Sequence, residues 1–237
     1  MTIKPTDIPN EVKQVAETLE NNGFEAYVVG GCTRDLLLGK QPKDWDLTTN
    51  AKPEEIQELF PEHYANNDYG TVGVKTESED ETLKVIEVTP YRTESGYSDA
   101  RRPDEVTFGV SLEEDLKRRD FTVNALAYRV STGEMVDNFG GVEDLAARRL
   151  KAVGDANERF AEDALRMMRA VRLAAQLDFM IEAETMDAIT RHNQQLSRIS
   201  IERVTSEFIR TVESPAAMQG IVLMEKLGLL EQFLPEL

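Results

Sequence analysis

Two aspartates separated by a single residue follow a glycine pair by about a dozen residues, and this ordered set constrains the fold more than any other feature. The glycines, Gly30 and Gly31, end the apolar run at 26–29, and the aspartates are Asp44 and Asp46. A short buried-type strand ending in glycine predicts a turn where the backbone can approach a phosphate. Because residues i and i+2 of a strand point to the same side, we expect both carboxylates to lie side by side on the next strand.

Two carboxylates this close repel each other, and one of them would normally hold a proton. A divalent cation removes that conflict, so Asp44 and Asp46 predict a Mg²⁺ site that handles a nucleoside triphosphate. A third acid is expected on a neighbouring strand. Glu87 alternates with apolar residues in the run 85–88 and is the candidate. The alternative for Glu87 is a strand glutamate that faces water.

A second motif is the compact run RRDFTVNA at residues 118–125. Arg118 and Arg119 offer phosphate contacts in the rigid fork geometry of the guanidinium group. Asp120 can accept a hydrogen bond from a ribose hydroxyl, and Asn124 can do the same or orient that hydroxyl. The alternative is a helix N-terminus with a basic surface patch, but the compactness of the run favours a functional role.

The third motif lies on a long amphipathic helix predicted over 158–177. Four charged side chains spaced by three residues gather on one of its faces: Asp163, Arg166, Arg169 and Arg172. A carboxylate accepts from an exocyclic amine, and a guanidinium donates to ring acceptors. Cytosine and adenine present such an amine where uracil and guanine present a carbonyl, so an Asp/Arg pair can select C and A without a nucleic-acid template. The alternative is a ladder of ion pairs on a solvated face.

Charge and composition narrow the possible functions. The 237-residue chain has a formal net charge of −17, which argues against a general nucleic-acid-binding surface. Short acidic runs such as 113–115 predict solvated surface, whereas basic residues cluster at 117–119, 148–149 and 166–172, which permits a basic cleft in an acidic protein. No P-loop motif is present, so a kinase or ATPase is not favoured.

The sequence also carries information on location. No apolar stretch approaches the ~20 residues needed to span a membrane, and the N-terminus lacks the apolar core of a signal peptide. The single Cys32 excludes an internal disulfide and a cysteine zinc site, and it predicts a reducing, cytoplasmic environment. His63 and His192 lie far apart in the sequence and do not favour a histidine-rich metal site.

The character of the chain changes near Gly140. Before this point short helix and strand signals alternate, and a loop with turn and charge character is predicted between Glu94 and Pro103. After it nearly every signal is helical, with helices predicted over 158–177, 181–192, 201–212 and 216–226. The sequence therefore predicts an α+β fold with a domain boundary near residue 140.

The three motifs, in this order, closely resemble the class II tRNA nucleotidyltransferases, which are the CCA-adding enzymes, and their relatives the bacterial poly(A) polymerases. The resemblance extends from Tyr27 to the C-terminal helices. It implies a nucleotidyltransferase head with a small mixed β-sheet and helices over 1–140. It further implies an all-helical neck for base recognition over 141–200 and the start of a helical body over 201–237. Family members usually continue further, so the resemblance also implies that this chain is the catalytic half of a longer protein.

The resemblance implies roles for single residues. The metal-binding and third carboxylates match Asp44, Asp46 and Glu87. The triphosphate and ribose contacts match Gly31, Arg34, Arg119 and Asp120, with Asn124 beside them. The amino-acid template for the base matches Asp163 and Arg166, and further phosphate contacts match Arg169 and Arg172.

The implied reaction is Mg²⁺-dependent addition of C and A to the 3′ end of tRNA from CTP and ATP. Rivals within this class are a CC-adding enzyme, an A-adding enzyme and a poly(A) polymerase. Rivals from other classes are a catalytically silent RNA- or nucleotide-binding module and an Asp-x-Asp glycosyltransferase. The segment 97–103 resembles the flexible loop that helps family members switch from C to A, which favours A addition. The oligomeric state is not predicted.

Overall fold

The computed structural model describes residues 1–65, 69–96 and 105–236. The chain divides into two compact units, and three stretches make up each of them. The first unit comprises Met1–Glu94, Val106–Arg119 and Val123–Val142, and the second comprises Ser95–Glu105, Asp120–Thr122 and Glu143–Leu237. The predicted loop segment 97–103 lies outside the described residues. The assignment of 1–140, 141–200 and 201–237 to head, neck and body stays a prediction.

The chain up to residue 140 contains both helices and strands. In chain order they are α1 (Asn10–Asn21), β1 (Tyr27–Val29), α2 (Gly31–Leu37), β2 (Asp46–Thr49), α3 (Pro53–Leu59), β3 (His63–Ala65), β4 (Val72–Lys75), β5 (Val85–Pro90), β6 (Arg92–Ser95), β7 (Glu105–Phe108), α4 (Leu112–Lys117), β8 (Ala127–Tyr128) and β9 (Met135–Val136). A single 3-10 turn, Thr122–Asn124, separates α4 from β8. The spacing of Ser111 and Glu114 predicts a capping box at the start of α4. This prediction is confirmed, since the Glu114 N–H donates to Ser111 Oγ and the Ser111 N–H donates to Glu114 Oε2.

A seven-stranded mixed sheet forms the centre of the first unit, in the order β3-β4-β5-β2-β1-β8-β9. Strands β2 and β5 are parallel, and the other neighbours in this sheet are antiparallel. Strand β1 is buried at all three positions, as expected for a strand covered on both faces. Ile86 and Val88 of β5 are fully buried while Glu87 between them is half-buried on the other face. The mixed sheet with its helices confirms the predicted α+β fold class.

Helices dominate the chain from residue 141 onwards. The elements are α5 (Gly141–Ala146), β10 (Arg149–Leu150), α6 (Ala156–Glu162), α7 (Leu165–Leu177), β11 (Met180–Ile181), α8 (Ala183–His192), α9 (Ile201–Val212) and α10 (Ala217–Lys226). In the second unit α7 is buried along most of its length and packs against α9 and α10. The prediction of a nearly all-helical region missed the short parallel pair β10–β11.

The prediction of one continuous helix over 158–177 is wrong. The chain leaves helical geometry at Asp163, where φ is −139° and ψ is 105°, so α6 ends at Glu162 and α7 begins at Leu165. The Asp163 carboxylate accepts a hydrogen bond from the Leu165 N–H at 3.0 Å. Aspartate side chains compete in this way for backbone donors, which favours helix ends over helix interiors. No glycine or proline marks the break in the sequence.

Thr33 is a residue type that often caps helices, and the sequence predicts it as the cap of a helix over Arg34–Leu38; for α2 this prediction is wrong. The helix begins at Gly31, with Gly30 as its N-cap, so Thr33 lies inside the helix. The Thr33 hydroxyl donates instead to the Val28 carbonyl at 2.8 Å and ties the helix to β1. In the described part of the chain, every helix is too short or too polar to cross a membrane.

Candidate active site

The turn between β1 and α2 brings the backbone close to two charged side chains of the first unit. Gly30 has a φ of +76°, which L side chains rarely adopt. A Cβ atom at this position would lie 3.1 Å from Arg119 Nη1 and 3.6 Å from Asp46 Oδ2. Glycine therefore permits both the turn conformation and the close approach of a guanidinium and a carboxylate to the start of the helix.

The carboxylates do not all share one strand. Asp46 is the first residue of β2 and stands in register with Glu87 of the parallel strand β5. Asp44 lies in an exposed bend before the strand, so the prediction that both aspartates lie on one strand is wrong. The reason is that β2 begins only at Asp46. The predicted proximity of Asp46 and Glu87 is present, because cross-strand neighbours on one face lie close together.

Electrostatics link the three acids. Burial, followed by the negative charges of Asp44 and Glu87, raises the pKa of Asp46 to about 7, and Arg119 acts in the opposite direction. Bound cations favour ionised carboxylates, so this charge pattern fits a divalent metal ion. Within the ranges that the structure describes, no group of three or more Asp, Glu, His or Cys side chains is arranged as a ready metal site. The acids around Asp46 fit a cation by charge and by type of donor atom, but not by an arrangement of three ligands within these ranges.

Arg34 and Asn124 meet beside the glycine turn. Arg34 Nη1 donates to Asn124 Oδ1 at 2.8 Å, and Arg34 Nε donates to Asp35 Oδ1 at 2.9 Å. A Cβ atom on Gly31 would lie 3.6 Å from Arg34 Nη2, so this guanidinium covers the first residue of α2. Two residues predicted to contact the nucleotide, 90 positions apart, are thus in direct contact.

Asp115 is a residue that the sequence interpretation missed. It belongs to an acidic run predicted to be solvated surface, yet its side chain is fully buried. Its carboxylate accepts from Arg118 Nη2 at 2.7 Å and from Arg119 Nη2 at 3.4 Å. Burial raises the pKa of Asp115, but Arg118 and Arg119 outweigh burial and hold that pKa below its usual value. The helical spacing of 115, 118 and 119 was the available signal.

The two arginines of the RRD motif have different surroundings. Arg118 is engaged by two carboxylates, because it also pairs with Glu94 at 3.0 Å. Arg119 contacts Asp115, lies close to Gly30, and has a buried Nε atom with no hydrogen-bond partner in the described structure. Arg119 therefore retains donor capacity beside the acids, whereas Arg118 braces the network around Asp115.

In the second unit, Asp120 and Arg169 form a two-pronged ion pair. Asp120 Oδ2 accepts from Arg169 Nε at 2.9 Å and from Arg169 Nη2 at 2.6 Å, while its Oδ1 accepts from the Phe121 N–H. The charge of Asp120 raises the pKa of Arg169 above its usual value. Two donors of one guanidinium on the same carboxylate oxygen restrain the orientation of both side chains. The structure thus joins two predicted site residues from separate motifs.

The remaining arginines of α7 also have carboxylate partners. Arg166 Nη1 donates to Glu162 Oε2 at 2.5 Å, and Arg172 Nε donates to the carboxylate of Glu207. Burial lowers the pKa of Arg172, and Glu207 acts against that change. Arg166 is 9% exposed and Arg172 is 8% exposed, so the alternative of a ladder on a solvated face is wrong. Asp163 pairs with Arg203 of α9 at 3.0 Å.

Family comparisons match both parts of the chain. Residues 26–151 match the model of the poly A polymerase head domain. Residues 178–237 match a second model, described as a probable RNA and SrmB-binding site of polymerase A.

Curated relatives are CCA-adding enzymes. The enzyme of Enterococcus faecalis is 52% identical over 212 residues, which cover 88% of this chain and 51% of the relative. The enzyme of Lactobacillus delbrueckii subsp. bulgaricus is 47% identical over 231 residues, which cover 97% of this chain and 57% of the relative. The chain thus spans about half the length of the curated relatives it matches.

A solved structure resembles the chain closely. The crystal structure of the Bacillus stearothermophilus CCA-adding enzyme in complex with CTP matches with a TM-score of 0.84 and 39% identity, covering 94% of this chain and 53% of that one. This match confirms the fold that the motif resemblance implied. Since the head-domain model spans more than half of the residues, the chain belongs to the poly A polymerase head domain family.

Proposed function

We propose that this chain is the catalytic part of an enzyme that adds C and A to the 3′ end of tRNA, using CTP and ATP and releasing pyrophosphate. The observation that carries the proposal is the register of Asp46 opposite Glu87, beside the Gly30 turn and Arg119. Paired acids next to a glycine turn and an arginine suit a metal-bound triphosphate. The relatives at 47–52% identity are CCA-adding enzymes, which supports this chemistry over the rivals of other classes.

Members of this family are nucleotidyltransferases that normally use divalent metal ions. We propose Mg²⁺ as the ion, with Asp44 and Asp46 as its ligands and Glu87 as the third carboxylate. The pKa of about 7 for Asp46 supports this assignment, because the binding of a cation would favour the ionised form. When bound, Mg²⁺ lowers the pKa of an attacking hydroxyl and stabilises a leaving pyrophosphate.

The triphosphate is assigned to the arginines around the glycine turn. Arg34 and Arg119 present guanidinium forks that match phosphate oxygens, and Gly31 contributes a backbone N–H at the start of α2. Asn124 and Asp115 hold these two arginines in place. Because the donors are oriented before the nucleotide arrives, binding requires little reorganisation.

Base recognition is assigned to the second unit. Asp163 would accept from the exocyclic amine of C or A, and Arg166 would donate to the neighbouring ring acceptor. Both side chains are held by protein partners, which supports a fixed recognition edge. Asp120 is assigned to the ribose and Arg169 to phosphate. A phosphate contact by Arg172 has the least support, because its guanidinium is buried against Glu207 and Gln176.

The test offers three RNAs to the purified chain: tRNA lacking CCA, tRNA ending in C and tRNA ending in CC. Each is incubated with CTP, ATP or both, and the products are resolved at single-nucleotide resolution. We expect two C additions to the first RNA, followed by one A. Products that stop at CC would identify a CC-adding enzyme. Addition only to the CC-ending RNA would identify an A-adding enzyme. Long A tails would identify a poly(A) polymerase.

Two further outcomes would contradict an enzyme of this class. Binding of tRNA or CTP without pyrophosphate release would indicate a binding module. Binding of a UDP-sugar without binding of CTP would indicate a glycosyltransferase. A cytoplasmic location stays a prediction from the single cysteine.

A further inference from the structure

The side chain of Asp163 is held at both oxygens. Its Oδ1 accepts from the Leu165 N–H at 3.0 Å, and its Oδ2 accepts from Arg203 Nη2 at 3.0 Å. The first bond is local and belongs to the helix break. The second comes from α9, 40 residues further along the chain. With one bond on each oxygen, the carboxylate has a defined rotamer and still has lone pairs available on both atoms.

Arg203 is partly buried. Its side chain is 27% exposed, and its Nη1 atom is buried without a hydrogen-bond partner in the described part of the chain. One turn further along α9, Glu207 forms the ion pair with Arg172 of α7. Two ion pairs from one face of α9 therefore join it to α7 and to the helix break before α7: Glu207 with Arg172, and Arg203 with Asp163. This arrangement fixes α9 relative to the helix break at Asp163.

We infer that Arg203 is a positioning residue for base selection, which acts by keeping the Asp163 carboxylate in one place. This inference rests on the proposed function. Neither the family comparisons nor the sequence motifs single out Arg203, which lies outside the three motifs.

The physical reason concerns rejection of the wrong bases. Uracil and guanine present a carbonyl oxygen where cytosine and adenine present an amine, so a fixed carboxylate at that point repels U and G. A carboxylate that can rotate away from the carbonyl loses this repulsion while its attraction to an amine is only weakened. Specificity often depends on such a repulsive element held against the competitor. Removal of Arg203 should therefore relax selectivity more than it reduces catalysis.

The experiment compares Arg203→Met, Arg203→Gln and Arg203→Lys in the full chain. Steady-state kcat and KM are measured for CTP and for UTP with tRNA lacking CCA. We expect Arg203→Met to lower the ratio of kcat/KM for CTP to that for UTP by ~10-fold, mainly through KM. Arg203→Lys should recover much of that ratio, because its ammonium group can still donate to Asp163.

Arg210→Met is the matched control, since Arg210 is exposed on the same helix two turns away. It should leave the CTP/UTP ratio unchanged. A purely structural role for Arg203 would lower kcat for both nucleotides equally and leave the ratio intact, and that result would overturn the inference. If Arg203→Met does not fold, Arg203→Gln decides by the same ratio, because its shorter, uncharged side chain removes the ion pair with Asp163 and keeps a polar end in the partly buried position. A wild-type chain that incorporates neither C nor A would overturn the proposed function and, with it, this inference.

Discussion

The acids around Asp46 and the arginines of α7 show opposite ways of handling buried charge. The negative charges of Asp44 and Glu87 raise the pKa of Asp46, and the positive charge of Arg119 lowers it. In α7, each predicted arginine faces a carboxylate of the same unit. The first region concentrates negative charge around Asp46, which an added cation would help to balance. The second is balanced internally, so it holds side chains in position without help from a ligand.

Loss of an acid from the unbalanced region should have the largest effect. Asp46→Ala should reduce nucleotide incorporation by ~10³-fold or more, because it removes a proposed metal ligand and the hydroxyl activation assigned to that metal. The melting temperature should not fall, since the variant also removes a repelling carboxylate. Asp80→Ala, an exposed acid of the same unit, is the control. Incorporation by Asp46→Ala within tenfold of wild type would show that Asp46 is not a metal ligand.

Loss of an acid from the balanced region should act on stability instead. Glu207→Ala leaves the buried guanidinium of Arg172 without its carboxylate, which costs about 3–5 kcal/mol in the free energy of unfolding. Urea denaturation measures this change. Glu213→Ala removes an exposed glutamate just after the end of the same helix and should change the free energy of unfolding by less than about 0.5 kcal/mol. Equal effects of the two variants would contradict the importance of the ion pair.

The pH dependence of stability tests the difference between the acids around Asp46 and the paired arginines of α7. The folded-state pKa of Asp46 lies above its ordinary value, at about 7, so the folded state retains a proton that the unfolded chain releases near pH 4. The free energy of unfolding should therefore decline as pH rises from 4 to 7, by at most ~4 kcal/mol for a shift of this size. Asp46→Asn should flatten this slope, and so should millimolar Mg²⁺. A slope in Asp46→Asn equal to that of wild type would contradict the assignment.

A smaller effect is expected for base choice. Asp163→Ala should relax discrimination against UTP and GTP by ~10- to 100-fold, because one polar contact to the base edge is worth ~1–3 kcal/mol. Competition assays with all four nucleotides measure the effect, and Asp178→Ala, an exposed acid at the end of α7, is the control. Equal loss for all four nucleotides would show that Asp163 acts only at the helix break.

Local patterns predicted local structure well. The glycine turn after β1, the capping box at Ser111 and the helix Ile201–Val212 follow from residue spacing and turn chemistry, which operate over a few positions. The break at Asp163 was missed because its only signal is a side chain that competes for a backbone donor.

Contacts between residues far apart in the sequence were also missed by the sequence-based predictions. The burial of Asp115 and the contacts of Arg203 and Glu207 depend on helices brought together by the fold. A periodic pattern cannot specify which surface a charged residue meets 35 to 40 positions away. The sequence therefore indicated which residues carry the chemistry, but it did not indicate which residues pair with one another.

The parallel pairing of β2 with β5 has a consequence for folding kinetics. This ladder joins residues 41 positions apart, and α3, β3 and β4 lie between its two strands. Contacts of such sequence separation form slowly, because chain closure must precede any gain from pairing. Asp46 and Glu87 become neighbours only when this ladder exists. If the proposed metal site is correct, metal affinity should appear after helix formation in a refolding reaction and report when the central sheet closes.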